Sequence, residues 1–224
     1  QCHAAGIVGM LAVDIAMADK AIERRDGESL RRGIDGSGVT VAVLDTGIWR
    51  YKPELESNLD GQNRIVGTFD ATLPAGWYPE ITYSENGHGT HVSSVIASTK
   101  RSSYTDKVHG IAPNVDLVAV RAFDAQGQGS YADVIKGLDW IVAHKDDYAI
   151  RILNLSFSAP PQSHYWDDPL NQAVMAAWEA GILVVASAGN TGPDPMSIGV
   201  PGNVPYVITV GAMSDNYSPE DGSY

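Results

Sequence analysis

Val39-Thr40-Val41-Ala42-Val43-Leu44 is a short, β-branched and nearly continuous apolar run. A strand with one wet face alternates apolar and polar residues; this run has almost nothing to offer water. It therefore suits a central parallel strand buried on both faces. Leu117-Val118-Ala119-Val120, Ile152-Leu153-Asn154-Leu155, Ile182-Leu183-Val184-Val185 and Val207-Ile208-Thr209-Val210 are similar. Helical patterns lie between them. Val92, Val95 and Ile96 recur at helical spacing, and Val134, Ile135, Leu138, Ile141 and Val142 form an apolar stripe. Ala173, Ala176, Ala177 and Ala180 form another, which Gly181 is placed to terminate. Alternation of strand and helix predicts an α/β fold: a doubly wound, mostly parallel sheet with helices on both faces. Residues 59–87 break the rhythm with Gly, Pro and aromatics and read as a long loop region.

The 224 residues fit one sizeable domain that needs no staples to hold its core. A hydrophobic content of 44% with 19% charged residues is globular and not disordered. The net charge of −12 argues against nucleic acid or an anionic membrane as partner and reads as solubility. Cys2 is the single cysteine, which excludes an internal disulfide framework and a multi-Cys zinc site.

Residues 1–36 read as a lead-in segment, ahead of a domain over 37–224. Residues 4–13 are mostly apolar, and Ala16-Met17-Ala18 has the form of a cleavage site. No basic stretch precedes it and Asp14 interrupts it, so a helical lead-in is the expectation, too short to span a membrane. Residues 19–36 carry Glu23-Arg24-Arg25-Asp26 and Arg31-Arg32 and read as a solvated helix and turn. The natural N-terminus is expected upstream of Gln1.

Three places carry polar residues suited to chemistry. Asp45 follows the first apolar run, at the carboxyl edge where ligands collect in open α/β sheets. Alone, Asp45-Thr46-Gly47 is equally a capped turn. His88 opens a helical pattern between Gly87 and Gly89, which leave the imidazole unobstructed. His91 suits packing or a structural hydrogen bond. No Glu or Cys completes a zinc site around this pair. Asn190 ends Ala186-Ser187-Ala188-Gly189 just past another apolar run, where its amide can donate into a cleft; alone it is an ordinary Gly-Asn turn.

Taken together, Asp-Thr-Gly after a strand, then Gly87-His88-Gly89-Thr90-His91-Val92, then Ala188-Gly189-Asn190 resembles the subtilisin-like serine proteases, the subtilases. Gly110-Ile111-Ala112-Pro113, Gly127-Gln128-Gly129-Ser130-Tyr131, Asn154-Leu155-Ser156-Phe157-Ser158 and Pro201-Gly202-Asn203-Val204-Pro205 extend the likeness in family order over roughly residues 37–213. The resemblance implies a serine endopeptidase in which Asp45 orients His88, His88 moves the serine proton, and Asn190 donates to the oxyanion. It also implies that Gly129, Ser130 and Tyr131, with Ser156, Phe157, Ser158, Ala188 and Gly189, flank an extended protein or peptide substrate. A propeptide or proteinaceous inhibitor is the other partner it implies.

The family's Gly-Thr-Ser-Met-Ala motif is not in the sequence; Met196-Ser197-Ile198 is the nearest echo. Subtilisin's serine follows its amide donor by roughly 65 residues, and 34 residues follow Asn190 here. The expectation is a catalytic domain incomplete at its C-terminus, with little activity as it stands. The alternative is a peptide-binding or regulatory protein on the same fold. Ser158 stands where the family usually has glycine, and is expected to narrow the first specificity pocket or shift that strand. No cofactor is required for the chemistry. For structural calcium, Asp70, Glu80 and Glu85 are the loop carboxylates to consider, with surface charge the simpler reading. Family habit points to secretion, with an intracellular location as the alternative. An aspartic-protease reading of Asp45-Thr46-Gly47 fails because that chemistry needs two such carboxylates and one copy is present.

Overall fold

The computed structural model describes residues 2–3, 34–49, 51–74 and 84–212. Six strands form one parallel sheet in the order β3-β4-β2-β6-β7-β8: β2 (Thr40–Asp45), β3 (Ile65–Asp70), β4 (Asp116–Arg121), β6 (Ile150–Leu155), β7 (Leu183–Ser187) and β8 (Ile208–Val210). A two-stranded antiparallel ladder joins β1 (Cys2–His3) to β5 (Gln128–Gly129). The helices are α1 (Pro53–Glu56), α2 (His88–Ala97), α3 (Tyr131–Ala143) and α4 (Pro169–Glu179). The α/β expectation and all five apolar runs are thereby met. The first run closes one residue later than its apolar stretch, so that Asp45 is the last residue of β2.

All six residues of β2 are buried, and the four apolar ones from Val41 to Leu44 divide between two cores. Ala42 and Leu44 join Val134, Leu138, Ile141 and Val174 from α3 and α4. Val41 and Val43 join Leu55 and Ala97 from α1 and α2. Helices therefore cover both faces, and β2 belongs to both layers. It is also where the strand order reverses, with β4 on one side and β6 on the other. Its carboxyl end is the switch point of the sheet, the place where such folds put their ligands.

The long helices are capped as their sequences dictate. Ser130 caps α3, accepting from the Asp133 amide, and Asp168 caps α4, accepting from the amides of Leu170 and Asn171. Gly181, just past the Ala180 C-cap of α4, takes the left-handed φ of 87°.

One expectation is corrected. Residues 59–87 are not all loop, because β3 runs through them as the edge strand beside β4. Its entry is fixed by Arg64, which is fully buried. Arg64 Nη1 donates to the Ala97 carbonyl, and Nη2 donates to the carbonyls of Ser57 and Pro113, both at 2.6 Å. Burial pushes this guanidinium down to about 10, opposed by the charge of Asp116. Among the described residues no helix is long and apolar enough to cross a membrane. The helical lead-in and most of the charged 19–36 stretch fall outside the described residues.

Candidate active site

Asp45 and His88 come from segments 43 residues apart and meet at the carboxyl end of β2. His88 Nδ1 lies 2.7 Å from Asp45 Oδ1 and 2.9 Å from Oδ2, and both residues are buried. A carboxylate can only accept, so Nδ1 carries the proton of this bond and Nε2 keeps its lone pair. Nε2 is buried and, among the described residues, finds no hydrogen-bond partner. Burial disfavours the charged imidazole, but the hydrogen bond and the charge of Asp45 outweigh it, and the His88 pKa is raised above 6.5.

The close approach of the two segments depends on Gly89. A Cβ there would lie 2.3 Å from the Gly47 carbonyl oxygen and 3.1 Å from Asp45 Cβ. The first turn of α2 can therefore settle against the Asp45 turn only without a side chain at this position. Asp45 Oδ1 also accepts from the Thr46 amide at 2.6 Å, which fixes the carboxylate plane.

The other sequence-derived residues fall on neighbouring strand ends. Asn190 lies in an exposed bend beyond β7, led in by Gly189, whose amide donates to Ser187 Oγ at 3.0 Å. Ala188 accepts from the Gly199 amide at 3.1 Å, tying this turn to the 199–201 segment. Ser156 follows β6 and accepts from Asn154 Nδ2 at 2.9 Å. The Phe157 side chain is fully buried, its ring 5.0 Å from that of Phe123, so it serves the core. Ser158 faces the glycines on its far side: a Cβ on Gly189 would come within 3.0 Å of Ser158 Oγ, and one on Gly199 within 3.1 Å of Ser158 Cβ. Gly129 belongs to β5, paired with Cys2. The Ser130 hydroxyl donates to Asp133 Oδ2 at 2.6 Å, and the Tyr131 hydroxyl to Asp168 Oδ2 at 3.2 Å, so both side chains hold helix starts.

Asp70 accepts from the Thr72 amide and hydroxyl and lies 3.8 Å from Arg121, so its carboxylate is occupied by the protein itself. Glu85 is exposed and Glu80 is outside the described residues. Among the described residues no group of three or more His, Cys, Asp or Glu is placed to hold a metal ion. A cavity of about 330 Å³ opens beyond Ser84 and Gly87, walled also by Trp49, Leu55, Thr90 and Ser94. None of the residues expected to flank a substrate contributes to it.

Sequence reasoning missed Thr46 and Ser84 as parts of this site. Their hydroxyls lie 3.0 Å apart in the wall beneath the Asp45–His88 pair, and both residues are buried. A serine in a Gly- and Asn-rich stretch carries no signal that its hydroxyl is buried.

Comparison with known proteins agrees with this arrangement. The family model described as "Subtilase family" matches residues 36–223. Serine protease AprX of Bacillus subtilis (strain 168) is 39% identical over 209 residues, covering 90% of this chain and 45% of that protein. Subtilisin Savinase of Lederbergia lenta is 38% identical, covering 83% of this chain and 59% of that protein. Among solved structures, a cold adapted subtilisin-like serine proteinase superposes with a TM-score of 0.63 at 30% identity, covering 80% of this chain and 56% of that one. Sphericase superposes with a TM-score of 0.66 at 28% identity, covering 81% and 56%. The chain spans about half the length of the relatives it matches. The strand order, the acid and histidine at its switch point and the span of these matches have one reading: the chain belongs to the subtilase family.

Proposed function

We propose that this chain is the acid–base part of a serine endopeptidase, whose nucleophilic serine lies outside these 224 residues. One observation carries the reading: His88 Nε2 is buried and finds no partner among the described residues, while Nδ1 is held by Asp45. An imidazole with no task would turn this nitrogen to water or to a donor. Here it is preset as a base.

In the proposed reaction His88 Nε2 takes the proton of a serine hydroxyl as the oxygen attacks the scissile carbonyl. Asp45 stabilises the imidazolium that results and keeps Nδ1 protonated. Asn190 donates its amide to the oxyanion of the tetrahedral intermediate. The imidazolium then protonates the leaving amine, and water repeats the sequence on the acyl-enzyme.

The substrate class is an extended polypeptide. Support comes from β5, which already accepts an antiparallel strand: Cys2 opposite Gly129 and His3 opposite Gln128. An added strand gains main-chain hydrogen bonds whatever its sequence, and side-chain pockets then select. The contacts of Ser158 with Gly189 and Gly199 support a first specificity pocket narrowed by that side chain. A propeptide or proteinaceous inhibitor would use the same strand, and a secreted location follows family habit. The β1–β5 pairing also favours a second reading, a binder that takes peptides without cutting them.

The test is labelling by an active-serine phosphonate. The 224-residue chain is expected to remain unlabelled, because loss of the serine costs subtilisin about 10⁶ in kcat. The product of the parent gene, translated past Tyr224, is expected to be labelled, and the label to be lost in His88→Ala. A parent that is never labelled but still binds peptides establishes the second reading. Labelling of the 224 residues overturns the placement of the nucleophile.

A further inference from the structure

A helix leaves its first amide N–H groups without partners inside the helix. The usual remedy is a Ser, Thr, Asp or Asn at the N-cap, whose side chain folds back onto them. In α2 the N-cap is Gly87, in the left-handed conformation with φ 87°, and it makes no side-chain cap. The partners arrive from outside the helix. The Gly87 amide donates to Ser84 Oγ at 2.9 Å, the His88 amide to Asn86 Oδ1 at 3.2 Å, and the Gly89 amide to Thr46 Oγ1 at 2.9 Å.

Two of these acceptors are bonded to each other, since Thr46 Oγ1 and Ser84 Oγ lie 3.0 Å apart. The Thr46 amide donates to Asp45 Oδ1, and His88 Nδ1 donates to the same carboxylate. A closed circuit therefore runs from Asp45 through Thr46, Ser84, Gly87 and His88 back to Asp45. Asp45, Thr46, Ser84 and His88 are all buried. In such surroundings each polar group depends on its protein partner, and a missing bond is not replaced cheaply by water.

We propose that Ser84 is a positioning residue for His88. Its hydroxyl, paired with that of Thr46, sets how the first turn of α2 sits on the Asp45 turn, so that Nδ1 meets the carboxylate. Ser84 touches no reacting atom in this scheme; it acts through the backbone of Gly87 and the hydroxyl of Thr46. Thr46 Oγ1 ties the helix to the acid turn through the Gly89 amide, and Ser84 adds a second tie, between the Gly87 amide and that same hydroxyl. Asn86 caps one amide from an exposed position, and its own amide donates to the Ala125 carbonyl at 3.1 Å. The inference rests on the Asp45–His88 reading of the proposed function.

The experiment uses the 224-residue chain as it is, labelled with ¹⁵N, and reads the far-downfield Nδ1–H resonance of His88 and its exchange with water. The signal is expected in the unaltered chain and is expected to vanish in Asp45→Asn. Ser84→Ala is expected to move it upfield and to speed its exchange at least 10-fold, with the amide spectrum beyond the first turn of α2 unchanged. Ser84→Cys, whose thiol is a weaker acceptor of nearly the same size, is expected to do the same in smaller measure and serves if Ser84→Ala does not fold; Thr46→Val cuts the hydroxyl pair and the Gly89 bond together and is expected to move the signal further. Thr46→Ser is expected to restore the signal, and Ser94→Ala, a hydroxyl deletion further along the helix, to leave it untouched. A signal unchanged in Ser84→Ala, or in Ser84→Cys where Ser84→Ala does not fold, overturns the role of Ser84. A signal missing from the unaltered chain instead overturns the Asp45–His88 reading beneath it.

Discussion

The junction of the Asp45 turn with the first turn of α2 and the outer edge of the sheet at β8 are built to opposite rules. At the first, nearly every polar atom is buried and bonded, down to the paired hydroxyls of Thr46 and Ser84. At the second, Leu183, Tyr206, Ile208 and Val210 are each about half exposed, and Trp178 stacks on Tyr206 in the open. Among the described residues nothing covers them. The bonds that hold Asp45 to His88 therefore lie wholly within the part of the fold described here, whereas the β7–β8 edge holds apolar surface that this part does not bury. This chain covers 45% of serine protease AprX, and in the proposed reading the proton-handling groups lie together within that part.

The comparison is broken first at its polar end. In a parent that carries the proposed serine, Asp45→Asn is expected to lower kcat about 10⁴-fold through the wrong imidazole tautomer. A small kinetic effect would remove Asp45 from the site. Next comes the ring of carbonyls around Arg64. Arg64→Ala takes this donor from the carbonyls of Ala97 and Pro113 and leaves that of Ser57 only the Thr99 hydroxyl at 3.5 Å, and is expected to cost on the order of 3 kcal/mol in urea unfolding of the 224-residue chain. Arg64→Lys is expected to recover only part of this, because one ammonium cannot span the fork.

A smaller effect follows pH. The folded-state pKa of His88 is raised, with burial opposing and the bond and charge of Asp45 prevailing. Its contribution to stability is then fully present below the ordinary value of 6.5 and is lost as pH rises through the folded pKa. The stability gap between the unaltered chain and Asp45→Asn is expected to narrow over that interval, and a gap that widens instead would contradict the pairing. In the proposed reading, peptidase activity of the parent is expected to run the other way, rising as His88 loses its second proton. The smallest effect belongs to the edge. Leu183→Thr and Ile208→Thr remove little buried surface and are each expected to change stability by no more than about 0.5 kcal/mol. A loss well above that, in either variant, would show the face to be covered in solution.

How much of this was legible depended on how far each signal exceeded its local competitors. The buried runs of β2, β4 and β6 were plain, because β-branched residues packed on both faces leave no polar alternation. Edge strand β3 was hidden: Val66 points to water, Gly67 lowers strand preference, and Asp70 ends it within a stretch rich in turn formers. β5 is two residues long and has no periodicity to read. Asp45, His88 and Asn190 stood out only because three motifs occurred in one order. Arg64 and Ser84 did not, since nothing local distinguishes a buried arginine or serine from a solvated one. Tyr131 and Phe157 show the converse. Both sit in segments expected to flank a substrate, yet their side chains serve a helix cap and the core.

Arg64 also has a consequence for how the molecule opens. Its guanidinium holds carbonyls from three segments distant in sequence, at Ser57, Ala97 and Pro113. Its own amide donates to Glu56, and its carbonyl accepts from Leu117. None of these segments can detach alone without stranding the charge, so they make up one cooperative unit of local unfolding. The amides of Arg64 and Leu117 should then exchange with solvent deuterium at a common free energy of opening, and the end of α2 should fray no sooner than the strand it is tied to.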